Sequence, residues 1–382
     1  TALNTTAHNL SNVNTQGYTR QQVTFTDTTY ANVFSSSIVP GKYGLGVDIG
    51  AISRVRNDFI DRSYRTEYSR LGFYESQANA VYEVEDWFGE MQGVTYQQHI
   101  TDLYNSINEL TKNPTSTIAR SSLIQNATAF IDRSQAIYSG LKDYQITLNT
   151  EVSSMVDKIN ELGQKIYSLN KSISKVEAGG VERANDLRDT RDLALDELSQ
   201  YLDIDYYETT DGQIIISAEN IPFVSKSEVN TMDVRQEGQY GLLIPEWPAY
   251  EKDVFSFEKA ASNANNNDKG KLKGLLVARG TIDVNYQDVP VMPDKSDYDL
   301  TTAEGMAQYN SAMDDYQKQQ DYYNKYIEPS AILSAIAGFD KLVNGIVTAL
   351  NDVLCPEKEV ETTTEMTDDE GNPLQADKYV YN

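Results

Sequence analysis

Six apolar residues stand at intervals of seven in the middle of this chain: Leu141, Leu148, Met155, Leu162, Leu169 and Val176. Val152, Ile159, Ile166 and Ile173 repeat the interval in a second register. A double series of this length admits a long α-helix with a coiled-coil-like seam and little else. The spacing predicts one helix over about residues 115–177, opened after Asn113-Pro114 and closed by the glycines of Ala178-Gly179-Gly180. At 1.5 Å per residue such a helix would be a rod on the order of 90 Å long, more than most compact enzymes use.

The flanking sequence supplies partners for it. Residues 56–91 carry Tyr64, Leu71 and Ala78 seven apart, with Tyr74, Val81 and Phe88 offset from them, which predicts a second heptad seam. Ile100, Leu103, Ile107 and Leu110 predict a helix that stops before Asn113-Pro114. A further helix is expected over 182–202, with Leu187, Ala194, Leu198 and Leu202 on one face and the charged run of "NDLRDTRD" largely on the other. Two more are expected at about 302–326 and 330–354, the last with Ile336, Val343, Ile346 and Leu350 turned to the long helix. Extended segments are predicted at Val23–Asp27 and Gly44–Val55, and Asp211-Gly212 between two β-prone runs signals a hairpin at 204–217. The fold class expected is mainly α with a smaller β part: an elongated antiparallel helical bundle with an inserted small β domain. An intramolecular bundle is preferred to an intermolecular coiled coil, because several helices of one chain need the same partner surface.

Charge and composition narrow the function. A formal net charge of -25 argues against a nucleic-acid partner, whose affinity rests on Lys and Arg. The apolar run Ala331–Phe339 is far below the roughly 20 residues that span a bilayer, so no membrane insertion is expected. No cleavable signal is visible at the N-terminus. His8 and His99 are far apart, Cys355 lacks a nearby base, and Gly44, Gly46 and Gly50 match a phosphate loop only loosely. No zinc or calcium spacing is present, and no cofactor is expected. The carboxylates Asp186, Asp189 and Asp192 alternate with Arg188 and Arg191, which reads as ion pairing along a helix surface, and not as a hydrolytic pair. Tyr64 and Tyr74, at seam positions, read as core or subunit-contact residues in preference to a sugar platform. The chain is therefore read as non-enzymatic.

The most particular stretch is the first. Leu3, Ala7 and Leu10 share a helical face, then Asn9, Asn12, Asn14, Gly17, Tyr18 and Arg20 crowd into a bend. "TALNTTAHNLSNVNTQGYTRQQV" resembles the N-terminal motif shared by the axial proteins of the bacterial flagellum. Two further stretches, "GLGVDIGAISRVRNDFIDRSYR" at 44–65 and "ANDLRDTRDLALDELSQYLDI" at 184–204, with Asn185, Leu187, Asp189, Arg191 and Asp192, are similar to segments of the FlgK family of hook–filament junction proteins. The resemblance covers most of residues 1–290 and implies a structural adapter ring joining hook to filament. The partners it implies are the hook protein, the second junction protein, further copies of the chain, and an export chaperone reached through C-terminal helices that have no counterpart before Asn382. It also implies an extracellular place at the hook–filament junction, and a chain that is a fragment of a longer protein.

On this reading residues 1–55 are the axial-type motif and linker, 56–202 a helical rod domain, 203–270 a small β domain, 271–355 return helices with an unmatched insertion, and 356–382 an acidic tail or the start of a further β segment. Hook and rod proteins share the first motif but not helices this long. The second junction protein or a filament protein would share the rod but not the Asn-rich bend. A secreted glycan-binding protein or carbohydrate-active enzyme is the alternative of a different class.

Overall fold

A computed structural model describes residues 2–33, 41–89, 95–180, 183–238, 241–354, 358–360 and 379–381; Cys355 and most of the acidic tail lie outside them. The fold is mainly α with a smaller antiparallel β part. The helices are α1 (Ala2–Ser11), α2 (Asp58–Phe88), α3 (Tyr96–Lys112), α4 (Thr117–Glu177), α5 (Asn185–Tyr201), α6 (Lys271–Arg279), α7 (Ala303–Tyr326) and α8 (Ala331–Leu354). Their ends follow local chemistry. The Thr95 side chain caps α3 by accepting from Gln98 N–H, and Thr302 and Ser330 do the same for α7 and α8. The 61-residue α4 stops at Gly180, whose φ of +66° lets its N–H reach the Glu177 carbonyl.

The chain forms two compact units, each discontinuous in sequence: 1–80 with 146–281, and 81–145 with 282–382. In the second unit Tyr96 packs against Phe130 and Phe339, and Phe339 meets Phe88 edge-on at 5.4 Å. Gly140 lies against the Trp87 ring, where a Cβ would fall 2.4 Å from it. Ile332, Leu333, Ile336, Ala337 and Phe339 of α8 are buried here, whereas Val343, Ile346 and Leu350 are only half-buried. As one helix of 24 residues α8 is long and apolar enough to cross a bilayer by length and composition, a property that the run 331–339 taken alone conceals; its first half is nonetheless core. The segment 283–327, without a match in the sequence reading, holds short turns and α7.

The heptads divide in their outcome. The α4 register of Val152, Ile159, Ile166 and Ile173 is buried throughout. The other begins buried at Leu141 and Leu148 and ends with Val176 41% exposed. A straight helix drifts about 20° per heptad against a strict seven-residue repeat, so one series must rotate out of the core. The α2 seam is corrected outright. Tyr64, Leu71, Tyr74, Ala78 and Val81 are exposed, and the buried face is Arg65, Ser69, Gly72, Phe73, Ser76 and Ala80. Small residues let backbones meet there: a Cβ on Gly72 would lie 2.6 Å from the Gln200 carbonyl oxygen, and one on Gly274 2.5 Å from that of Phe73.

The strands of the first unit are β1 (Gln21–Asp27), β2 (Ala31–Val33), β3 (Gly41–Tyr43), β4 (Val47–Arg54), β5 (Ile204–Glu208), β6 (Ile214–Ala218), β7 (Ile221–Val224), β8 (Asp233–Glu237), β9 (Leu242–Trp247) and β10 (Lys252–Asp253). β1 pairs antiparallel with β4, as do β2 with β3, and β5-β6-β7 and β10-β9-β8 form two three-stranded sheets. In the second unit β11 (Lys358–Val360) pairs with β12 (Tyr379–Tyr381). Three asparagines of α4 fasten the sheets to it. The Asn170 side chain donates to Ile214 O at 2.7 Å and accepts from Ile214 N–H at 3.0 Å. Asn160 does the same to Met232, both at 2.9 Å, and Asn149 donates to Gly241 O and accepts from Leu243 N–H. Each side-chain amide thus takes the place of a neighbouring strand. The intervals of 11 and 10 residues are close to three helical turns, so all three emerge on one face.

Candidate assembly site

The bend after α1 is closed from within by side chains. Asn9 donates to Gln21 O at 2.8 Å, and its Oδ1 accepts from Gln21 N–H at 2.9 Å and from the Tyr18 hydroxyl at 2.8 Å. It thereby pairs with the first residue of β1 as a strand would. With the Tyr18 proton committed to Asn9, the 3.0 Å contact between His8 Nδ1 and Tyr18 requires the proton on His8 Nδ1. Asn12 Nδ2 donates to the His8 carbonyl and Asn12 Oδ1 accepts from Thr15, so the last turn of α1 and the loop share one network. Gly17 sits at φ +78°, and a Cβ there would lie 3.2 Å from Leu193 Cβ.

The second motif lies directly on this bend. Thr19 N–H donates to Asp189 Oδ2 at 3.1 Å, and Gln21 Nε2 reaches Asp186 at 3.3 Å. Arg54, the last residue of β4, binds Asp189 at 2.8 Å and Asp192 at 2.6 Å. Arg56 adds Asp192 and Asp61, Arg65 binds Asp196 at 2.7 Å, and Asn185 donates to Ile52 O. One stripe of α5, formed by Asp186, Asp189, Asp192 and Asp196, therefore holds β1, β4 and the start of α2 together. Burial raises the Asp196 carboxyl and the Tyr18 hydroxyl above their ordinary pKa, and Asp186 and Asp189 push Tyr18 the same way.

The arginines between these aspartates leave on another stripe. Arg188 binds Glu177 at 2.7 Å and Glu208 at 2.6 Å, and this bond drops the Glu177 carboxyl to about 2. Arg191, fully buried, donates to Gly212 O at 2.6 Å and Asn170 Oδ1 at 3.1 Å, and burial lowers its guanidinium to about 10. The expected surface ion pairing along α5 is thus overturned: Arg188, Asp189, Arg191 and Asp192 are buried and each pairs with other elements. α5 is covered on both sides, by the N-terminal hairpin and by α4 with the β5–β6 loop, so its charges act as connectors. The Asp211-Gly212 signal is part of this, since the hairpin turns over five residues and presents the Gly212 carbonyl to Arg191.

The predicted residues divide accordingly. Asn9, Asn12, Gly17, Tyr18, Asn185, Asp189, Arg191 and Asp192 converge on the bend and α5. Leu187 is half-buried in an open groove of about 860 Å³ beside His8 and Ile52. Leu3 and Leu10 are 79% and 74% exposed, Ala7 lies open between them, and Asn14 and Arg20 are exposed. Sequence reasoning missed Arg54, Asp196 and the asparagines of α4. The spacing of Asn149, Asn160 and Asn170 was the available signal.

The N-terminal helix, the self-bonded Asn-Gly-Tyr bend and the aspartate helix that seats it thus form one joined site, the arrangement expected of the flagellar axial motif that the first residues resemble. The sequence profile described as the flagellar hook-associated protein FlgK helical domain matches residues 81–294. The chain belongs to the FlgK family of flagellar hook-associated proteins. It is similar to flagellar hook-associated protein 1 of Bacillus subtilis, 29% identical over 329 residues, which is 81% of this chain and 63% of that protein. The proteins of the same name from Escherichia coli and Salmonella typhimurium are 26% and 25% identical, over 57% and 53% of this chain and 39% and 36% of their own length. The chain thus spans less than two thirds of these relatives. The solved structure of the flagellar hook junction protein FlgK from Burkholderia pseudomallei overlaps 57% of this chain and 38% of its own, with a TM-score of 0.47 and 18% identity.

Proposed function

We propose that this chain forms the body of a subunit of an extracellular adapter ring that joins the flagellar hook to the filament. The observation that carries the reading is the contrast within residues 2–21. The bend satisfies its own polar groups and is bolted to α5, while Leu3, Ala7 and Leu10 of the helix it carries face solvent. A helix aimed by a rigid base with its apolar stripe uncovered is built to be covered by other chain, and the family gives that cover a flagellar setting. The exposed Tyr64, Leu71 and Tyr74 of α2 suit neighbouring copies, as subunit-contact residues. Residues 1–55 then serve as the assembly segment, 56–202 and 271–355 as the load-bearing body, 203–270 as a side domain and 356–382 as an acidic tail or the start of a further β segment. The hook protein, the second junction protein and the chain itself are the partners of this reading, with an export chaperone engaged outside the present sequence. It requires neither a cofactor nor catalysis, and no membrane insertion.

Gly17→Val, made in the full-length protein, tests it. A β-branched residue at φ +78° costs about 1–2 kcal/mol of backbone strain, and its side chain is driven into Leu193. Motility and incorporation at the junction are expected to fall while the helical content of the purified variant is retained. Unchanged motility and incorporation would show that the bend does not set the direction of α1.

A further inference from the structure

The N-terminal hairpin has one face on α5 and one left open among the described residues. Side chains alternate along a strand, and residues directly opposite in an antiparallel pair share a face. Gln21 and its partner Arg54 turn to α5, where they meet Asp186, Asp189 and Asp192. Arg20, Gln22 and Thr24 therefore turn the other way, and all three are exposed. Val55 N–H donates to Arg20 O at 2.9 Å, and Ser53 and Ala51 stand opposite Gln22 and Thr24, so these complete the outer face. Val55 is exposed, and Ser53 and Ala51 are half-buried.

The backbone of Arg20 is tied down on every side. Thr19 N–H before it is held by Asp189, Gln21 after it is clasped at both backbone groups by Asn9, and its own carbonyl takes Val55 N–H. Its side chain is not tied. Arg54, Arg56, Arg65, Arg188 and Arg191 all end on carboxylates or carbonyls of the first unit, whereas the Arg20 guanidinium makes no hydrogen bond or ion pair among the described residues. The other residues of its face are neutral, in a chain whose formal net charge is -25.

Two chains of this charge repel over most of their surface, so a place where they meet needs a cation matched to a carboxylate. Arginine suits that task because its planar fork holds a carboxylate by two bonds at once, and a fixed backbone reduces the freedom lost in making them. Acceptors stand on the chain itself: Glu83, Glu85 and Asp86, near the end of α2, are exposed, and their carboxylates make no bond among the described residues. We propose that the outer face of the hairpin docks a carboxylate-bearing face of a second copy of this chain, with Arg20 as the residue that takes the carboxylate. In the adapter ring, on which this site depends, Arg20 joins each copy to the next.

Arg20→Lys, made in the full-length protein, keeps the charge and supplies an amine for zero-length carbodiimide coupling. In isolated hook–filament junctions built from isotope-labelled and unlabelled copies, that amine is expected to couple to an Asp or Glu of another copy, read by mass spectrometry as a peptide pair joining the two isotopes. Coupling within one copy only, coupling to a different flagellar protein only, or no coupling overturns the site. Arg20→Glu gives an independent reading. Its incorporation at the junction is expected to fall by about tenfold or more, since like charges then face each other. The purified variant should keep wild-type exchange protection at the Gln21 and Val55 amides, because the guanidinium has no bond within the subunit to lose. Wild-type incorporation refutes the site and leaves the adapter reading to be judged by Gly17→Val; lost protection at those amides would make Arg20 a structural residue and refute it equally.

Discussion

Asp189→Ala is expected to destabilise the first unit by about 3 kcal/mol and to detach the N-terminal bend before the rest of that unit unfolds. The magnitude comes from what the carboxylate holds. It accepts from Thr19 N–H in the bend and from Arg54 at the end of β4. The side chains of Arg54 and Asp189 are only 12% and 8% exposed, so solvent screens them little. A surface pair would contribute about 0–1 kcal/mol, and a buried pair broken on one side about 3–5. Arg54 keeps Asp192 in the variant, which sets the loss at the lower end; the orphaned Thr19 amide adds to it. Hydrogen exchange at Thr19 should accelerate first, with the sheet β5-β6-β7 keeping its wild-type protection. Uniform loss of protection across the unit would mean that Asp189 supports the whole body and not the bend in particular.

Asn170→Ala carries the second large effect, also about 3 kcal/mol, felt at the β part. The side chain is fully buried and satisfies both backbone groups of Ile214 as well as one nitrogen of Arg191. Alanine leaves a buried N–H and a buried carbonyl with no partner, each costing about 1–3 kcal/mol. Arg191 retains the Gly212 carbonyl, so the guanidinium is not stranded. Because the chain has two units, a single unfolding midpoint is a poor readout, and the Ile214 amide is the proper one. Its exchange should rise by about two orders of magnitude, in step with the energy, while Met232, held by Asn160, changes little. Equal acceleration at both amides would show that the clamps do not act separately.

Much of this structure was legible in the sequence where one residue type dictates one outcome. Pro114 and Gly180 placed helix ends, and the heptads of α4 placed its core, because these signals are local. The buried face of α2 was not legible. Its Ser69, Gly72, Ser76 and Ala80 carry little hydrophobic weight, and they face the core because backbones approach there, which only the partner segments Gln200 and Gly274 reveal. The aspartates and arginines of α5 mislead for a related reason. Spacing shows that two stripes exist but not that both are covered, and a charge run on a covered helix turns from solvated surface into a set of connectors. At the site, the bend and the α5 motif were each visible alone. That Asp189 meets Thr19 across 170 residues of sequence was not.

The central claim is that these two motifs form one mechanical unit, and a double-mutant cycle tests it most directly. Asn9→Ala removes the clasp on Gln21, Asp189→Ala removes the seat of Thr19, and the protection of the Val55 amide, which donates to Arg20 O beside both, reports the result. Motifs that work as one unit should show a coupling energy of about 1 kcal/mol or more, the double variant losing less than the sum of the singles. Additivity within about 0.3 kcal/mol would contradict the account, leaving the bend and α5 as neighbours that share a surface and no function.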